Sequence, residues 1–171
     1  LQRNDEIWQY VYGLQEYHST YERDDEHRGV FRLRQRVDGF ISIDTEYHEE
    51  GSFVTKPMVF TGNRLILNID TDAAGYAQVG FLDENGKAVP GFSVDNCIYI
   101  NGDFLNKKVQ WIVNPEALEI PYGSSVEELA ELASEKLEIT ADVSDLQDKT
   151  VQLVFRMRGA KLYSMQFVEK N

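Results

Sequence analysis

The stretch "FRLRQRVDGFISIDTEY", residues 31–47, predicts two β-strands that are separated by a turn at Asp38-Gly39. In the first strand every second residue is apolar, so Phe31, Leu33 and Val37 are predicted to lie on one face of a sheet. The opposite face carries the arginines Arg32, Arg34 and Arg36. A period of two with one apolar face is typical of an antiparallel sheet with one face packed and the other in water.

Segments with strand character recur along the rest of the chain at short intervals. The list comprises "EIWQYVYG", "FVTKPMVF", "RLILNID", "YAQVGFL", "CIYI", "KVQWIV", "TVQLVFRMR" and "LYSMQFV". Turn residues separate them, among them the Asn85-Gly86 pair, a strong hairpin signal, and Arg158-Gly159-Ala160. The pattern predicts an all-β fold, an antiparallel β-sandwich of jelly-roll or concanavalin A-like type.

One segment departs from the strand pattern. In "SSVEELAELASEKLEI", residues 124–139, apolar residues recur at helical spacing, and Ser125 with Glu128 forms a capping-box motif. This predicts one amphipathic α-helix with an acidic outer face, inserted into the sandwich from about Glu116 to Ile139.

Charge and cysteine content limit the classes of partner. The formal net charge is −12, from 29 acidic and 17 basic residues, so nucleic acid and anionic membrane surfaces are disfavoured. No apolar run is long enough to span a bilayer. The single cysteine, Cys97, has no internal disulfide partner and is predicted to be a small buried apolar residue. The chain begins with Leu, which predicts a processed protein or a fragment, and its compartment stays open.

The arginine row is the first candidate site. If the strand that follows it pairs with it, Asp44 and Glu46 are its cross-strand partners, and ordinary ion pairs on a wet sheet face result. The alternative is a shallow ligand site that contains the arginines, Asp44 and an aromatic residue.

The aromatic residues Trp8, Tyr10 and Tyr12 alternate on the first strand and form the second candidate. They predict either a platform on which sugar rings stack or a surface that packs against another layer or domain.

Signatures of catalysis and of metal binding are missing from the sequence. The histidines His18, His27 and His48 lack zinc-site spacing, and no nucleophile elbow or phosphate loop is present. No cofactor is therefore predicted, except that acids at strand ends, such as Asp38, leave a structural calcium ion open. The other two acids in this group are Asp70 and Asp72.

Residues 4–167 resemble the C-terminal portion of proteins related to family 32 glycoside hydrolases, the β-fructosidase-like enzymes. The motifs that carry the resemblance are "NDEIWQYVYG", "RQRVDGFISID", the long run from "TKPMVFTG" to "YINGD", "VQWIV", and "DVSDLQDKTVQLVFRMRGAKLYSMQF". Those enzymes have a five-bladed propeller with the catalytic carboxylates, followed by a β-sandwich. The resemblance implies that residues 1–28 are a strand and linker at the end of a propeller and that residues 29–171 are the sandwich.

The resemblance also implies a function. The propeller's nucleophile and acid/base motifs have no counterpart in this chain, so no catalytic residue is carried over. The expected role is that of a non-catalytic accessory domain of a carbohydrate-active protein, which packs on a catalytic propeller and contacts glycan. An independent carbohydrate-binding module and a small stand-alone glycoside hydrolase stay open as alternatives. The candidate ligand-binding residues are Trp8, Arg32, Arg34, Arg36 and Asp44.

Overall fold

A computed structural model describes residues 1–14, 28–117 and 125–169. These residues form antiparallel strands and one α-helix, which confirms the predicted all-β class with a single helix among the residues described. The jelly-roll type stays a prediction. Contacts divide the chain into two compact units, Leu1–Ile41 and Ser42–Asn171. The arginine row therefore belongs to the first unit, whereas the predicted boundary after residue 28 assigns it to the sandwich.

The first unit contains a three-stranded sheet. Its strands are β1 (Gln2–Arg3), β2 (Glu6–Leu14) and β3 (Arg28–Arg36), in the order β1-β2-β3. The two long strands pair antiparallel along their whole length, from Glu6 opposite Arg36 to Leu14 opposite Arg28. Most of the predicted linker, together with His18 and His27, lies outside the described residues.

The second unit is centred on a five-stranded antiparallel sheet. Its strands are β4 (Ile43–Thr45), β5 (Gly51–Val54), β6 (Arg64–Leu82), β7 (Asp103–Lys108) and β10 (Gln152–Val168). The last strand pairs with β4, β5 and β6, and β6 also pairs with β7. Two short strands, β8 (Trp111–Ile112) and β9 (Ile139–Thr140), form a separate pair.

Strands β6 and β10 are each continuous where the sequence predicts two strands. The predicted turn at Arg158-Gly159-Ala160 is wrong, because β10 runs through it and only shifts its register. Gly159 has a φ of +51°, which bends the strand without reversing it. On β6, residues 72–75 form the matching bulge, since Arg158 pairs with Tyr76 and Ala160 with Thr71.

The bulge depends on a close backbone approach. A Cβ atom on Gly75 would lie 2.2 Å from the carbonyl oxygen of Gly159, so only glycine fits between the two strands there. The Asn101 side chain holds the bulge from the other side by donating a 2.7 Å hydrogen bond to the carbonyl of Gly75.

The hydrophobic core lies on one face of the paired β6 and β10. Trp111 is fully buried, and its indole Nε1 donates a 2.8 Å hydrogen bond to the carbonyl of Val79. The Phe81 ring contacts Trp111 and Phe92, with centroid separations of 5.6 and 6.1 Å. The residues that alternate with these along β6 and β10 form the opposite face of the sheet.

Helix α1 (Val126–Lys136) begins directly after the predicted capping residue Ser125 and lies within the predicted insert. Both hydrogen bonds of the capping box form, since Ser125 Oγ accepts from Glu128 N at 3.2 Å and Glu128 Oε2 accepts from Ser125 N at 2.9 Å. The helix lies between β8 and β9, which pair with each other, so it is an insertion as predicted. None of its side chains is fully buried, and Val126 is exposed.

The packed face predicted for the arginine strand is wrong. Phe31 and Leu33 are 56% and 49% exposed, and Val37 is half-buried. The physical reason is that this strand pairs with β2 in the small sheet of the first unit and has no place in the five-stranded sheet that carries the core. Alternation correctly predicted which residues share a face, but not whether that face is covered.

Cys97 is buried, as the sequence predicts, and burial raises the pKa of its thiol to about 11. We expect the native protein to react slowly with thiol reagents and the urea-unfolded chain to react fast.

The stability of the protein should also depend on the protonation of Cys97. Because the pKa of this thiol in the folded protein lies above the ordinary value of 9.0, the buried neutral thiol contributes its full stabilisation below pH 9, and this contribution is lost as the pH rises towards 11. The check is the urea midpoint of the wild type relative to Cys97→Ala. A constant difference between them across this window would contradict the prediction.

Candidate functional site

The structure brings four of the five predicted site residues together on one face of the first unit. Residues opposite each other on β2 and β3 share a face, and Trp8 lies opposite Arg34, Tyr10 opposite Arg32, and Glu6 opposite Arg36. The two rows proposed separately from the sequence, aromatic and basic, therefore form a single surface, here called the arginine–aromatic face. It comprises Trp8, Tyr10, Tyr12, Arg32, Arg34 and Arg36.

Trp8 is already engaged by its neighbours on this face. The guanidinium groups of Arg3 and Arg32 lie 4.9 and 4.3 Å from its ring centroid. Its Nε1 donates a 2.7 Å hydrogen bond to Glu6, whose other oxygen lies 3.4 Å from Arg34. Because these side chains satisfy one another, a sugar ring could stack on Trp8 only after displacing a guanidinium group.

Asp44 does not belong to the sheet that carries the arginine row. It belongs to β4 in the second unit, where it is opposite Lys161 of β10, and its Oδ2 lies 3.4 Å from Lys161 Nζ. The predicted cross-strand pairing of Asp44 and Glu46 with the arginines is wrong, because β4 pairs with β10 whereas β3 pairs with β2. Hydrogen bonds from Ser42 and Lys161 lower the pKa of Asp44.

The reverse face of the first unit carries exposed apolar side chains beside a 3.0 Å hydrogen bond from Gln9 Nε2 to Gln35 Oε1. Val11, Phe31 and Leu33 are exposed on it, and the Phe31 ring covers Gly13, where a Cβ atom would lie 2.6 Å from the ring. We call this surface, Val11, Phe31 and Leu33, the apolar face of the first unit. Exposed apolar area on both sides of a small sheet is typical of a surface that another layer covers.

A second candidate site, which the sequence did not indicate, lies on the second unit. It occupies the face of β6 and β10 opposite the core, where Arg158 is paired with Tyr76 and Arg156 with Gln78. We call it the tyrosine cluster and define it by Tyr76, Tyr99, Glu50, Asp95, Arg156 and Arg158.

Hydrogen bonds and ring contacts connect the tyrosine cluster throughout. The Tyr76 hydroxyl donates to Glu50 Oε2, and this bond raises the pKa of Tyr76. The rings of Tyr76 and Tyr99 meet edge to face with centroids 5.1 Å apart. Arg156 Nη2 donates to Asp95 Oδ1 at 2.8 Å, which raises the pKa of Arg156.

Arg158 is the exception in this network. Its guanidinium lies 5.2 Å from the Tyr76 ring centroid. Among the described residues it has no ion-pair partner, and its buried Nε has no hydrogen-bond acceptor. A buried donor without a partner is rare in native proteins. The one sequence signal for this site was the alternation of Arg156 and Arg158 in "FRMR", which has the same period as the arginine row.

Hydrogen bonds from β6 hold the segment that carries Tyr99 in place. Gln78 is 3% exposed and its Nε2 donates a 2.9 Å hydrogen bond to the carbonyl of Cys97. Ile100 and Ala77 exchange two backbone hydrogen bonds of 2.9 Å. These contacts on both sides hold the backbone of Tyr99 in place while its ring stays 61% exposed.

Other chemistry is sparse in the described part of the chain. Residues 1–14, 28–117 and 125–169 contain no group of three or more His, Cys, Asp or Glu side chains that could hold a metal ion. None of the helices in these ranges is long and apolar enough to cross a bilayer.

A cleft of about 300 Å³ beside the Asn85-Gly86 turn is lined by Val89, Leu146 and Val151 among others. Its carboxylate, Asp83, accepts from Asn85 N and Lys87 N within the turn.

Comparisons of the chain with protein families, curated proteins and solved structures found no match. The site must therefore be interpreted from its own geometry.

Proposed function

We propose that this chain is a non-catalytic accessory β-domain of a carbohydrate-active protein, which packs through its first unit against a catalytic propeller and contacts glycan. The resemblance of residues 4–167 to the C-terminal portion of family 32 glycoside hydrolases supplies the partner and the carbohydrate context. The observation that carries the packing role is the exposure of the apolar face of the first unit.

The exposed area supports a partner that covers this face. Phe31 and Leu33 are 56% and 49% exposed, and on the other side of the sheet Tyr10 and Tyr12 are 60% and 62% exposed. Burial of a side chain such as Phe or Leu contributes about 1.5–3 kcal/mol, so covering this face would stabilise an interface. The net charge of −12 keeps such a chain soluble while the face is uncovered.

The test is association with a five-bladed propeller domain of a family 32 glycoside hydrolase expressed without its own β-sandwich. We expect the chain to sediment with this propeller and to raise the propeller's thermal midpoint. The double variant Phe31→Asp/Leu33→Asp should abolish the association, because it buries two charges at the interface. The control is Val54→Asp, since Val54 in the second unit is 49% exposed like Leu33. An absence of association, or association that survives the double variant, would contradict the proposal.

An independent carbohydrate-binding module is the second candidate function. The tyrosine cluster favours it, because the exposed ring of Tyr99 lies in a network of hydrogen-bonding side chains, a combination that suits the binding of a sugar. This candidate predicts saccharide affinity in the absence of any propeller domain.

A further inference from the structure

We propose that the tyrosine cluster is a binding site for a neutral saccharide, which stacks on Tyr99 and forms hydrogen bonds with Arg158 and with the carboxylates of Glu50 and Asp95. The choice of a saccharide rests on the proposed function. The location of the site rests on the geometry of the cluster, and the neutral charge of the ligand rests on the charges of the cluster and of the whole chain.

The stacking platform is Tyr99. Its ring is 61% exposed, although the Gln78 hydrogen bond and the Ile100–Ala77 bridge fix its backbone. Tyr76 meets it edge to face and restricts its movement. A rigid exposed ring offers apolar contact area at little cost in conformational entropy, which suits the apolar face of a sugar ring.

The donor is Arg158. Arg156 is paired with Asp95 at 2.8 Å and lies 3.9 Å from Glu50, whereas Arg158 has no carboxylate partner in the described chain. Its Nε is buried without an acceptor among the described residues, and its guanidinium lies 5.2 Å from the Tyr76 ring centroid. The planar guanidinium has several donors in a fixed arrangement, which can bind two neighbouring hydroxyl oxygens.

The acceptors come from the two carboxylates. Glu50 accepts from Tyr76 through Oε2, and Asp95 accepts from Arg156 through Oδ1. Each carboxylate oxygen has two lone pairs, so both groups retain acceptor capacity. A ligand with hydroxyl groups, which both donate and accept, matches this mixture of donors and acceptors.

Charge selects a neutral ligand over an acidic one. The positive charges of the two arginines and the negative charges of the two carboxylates in the cluster cancel, and the rest of the chain is strongly acidic. An oligomer of uronic acids or a nucleic acid would meet repulsion from the surrounding field without a net positive site to offset it.

The experiment is calorimetric titration of the full chain with neutral oligosaccharides of fructose, xylose and mannose in separate runs, and with oligogalacturonate as the acidic comparison. We expect binding to at least one neutral series and weaker binding to oligogalacturonate. Tyr99→Ala should weaken the neutral binding by roughly tenfold or more, and Tyr99→Phe should preserve it, because the ring rather than the hydroxyl is the platform. Arg158→Leu should weaken it by a similar factor.

Tyr12→Ala is the matched control, since Tyr12 is 62% exposed and lies in the first unit. Its affinity should equal that of the wild type, and unchanged thermal midpoints would show that every variant is folded. No binding to any neutral series, preference for oligogalacturonate, or loss of binding in Tyr12→Ala but not in Tyr99→Ala would overturn the proposal. Any of these results would leave the propeller association untouched, because that assay uses the apolar face of the first unit.

Discussion

Replacing Trp111 with alanine is expected to lower the free energy of unfolding of the second unit by about 3–5 kcal/mol. Trp111 is fully buried, contacts the rings of Phe81 and Phe92, and donates a hydrogen bond to the carbonyl of Val79. The substitution removes the largest fully buried side chain, leaves a cavity, and leaves a buried carbonyl without that donor. Small domains have a total stability of about 5–15 kcal/mol, so this variant should be close to unfolding.

The measurement is urea unfolding followed by far-ultraviolet circular dichroism. Trp111→Phe separates the two contributions, because it keeps a ring in the core but removes the indole donor, and it should cost less than Trp111→Ala. The control is Trp8→Ala, in which the same substitution is made at a half-buried residue of the first unit. Equal losses for the two alanine variants would mean that the core does not lie where the structure places it.

Gly80→Ala is expected to produce the second large effect, a loss of about 2–3 kcal/mol. A Cβ atom at this position would lie 2.3 Å from the backbone nitrogen of Val94 and 2.6 Å from the carbonyl carbon of Ser93. Both are backbone atoms, so the clash can be relieved only by moving the turn at Val94–Asn96. That turn contains Asp95, and its displacement should also break the hydrogen bond to Arg156 in the tyrosine cluster.

Gly86→Ala is the control for this second prediction. Gly86 has a φ of +75° but no heavy atom within 4 Å of a Cβ position, so alanine there has backbone strain without a clash. It should cost about 1–2 kcal/mol. Urea midpoints of both variants give the comparison, and saccharide titration of Gly80→Ala tests the coupling to the cluster. A Gly80→Ala protein as stable as Gly86→Ala would show that the turn does not pack on β6.

Local features of the fold were predictable from the sequence because their causes are local. The capping box at Ser125 and Glu128 specifies the start of the helix through two hydrogen bonds between near neighbours. The Asn85-Gly86 turn closes with a 2.9 Å bond from Gly86 N to the carbonyl of Asp83. Cys97 was correctly predicted to be buried from its residue type, since a free cysteine is a small apolar side chain.

The sequence pattern could not predict which strands pair with each other. Alternation specifies which residues of a strand share a face, but not which strand lies beside it. The arginine strand was expected beside Asp44, yet it pairs with the strand of Trp8 and Tyr10. The glycine at position 159 was interpreted as a turn, yet opposite the bulge that contains Gly75 it only bends a continuous strand.

The tyrosine cluster could not be predicted from the sequence for the same reason. Its residues come from the loop before β5, from β6, from the turn before Tyr99, and from β10, and Arg156 and Asp95 are 61 positions apart. No spacing rule links such positions. The cluster exists only because β6 and β10 pair along their length and the segment 94–100 packs across them.

The amino-acid sequence by itself determined the all-β class, the inserted helix, the hairpin turn at Asn85-Gly86, and the alternation of the strands that carry Trp8 and the arginine row. These follow from side-chain periodicity and from hydrogen bonds between residues close together in the chain. Only the tertiary structure decided that the apolar face of the first unit is exposed and that two long strands carry the core. It also decided that Arg158 lies beside the Tyr76 ring and has no carboxylate partner among the described residues. Each of these features depends on contacts between residues that are far apart in the sequence. Such contacts form only once the strands have paired.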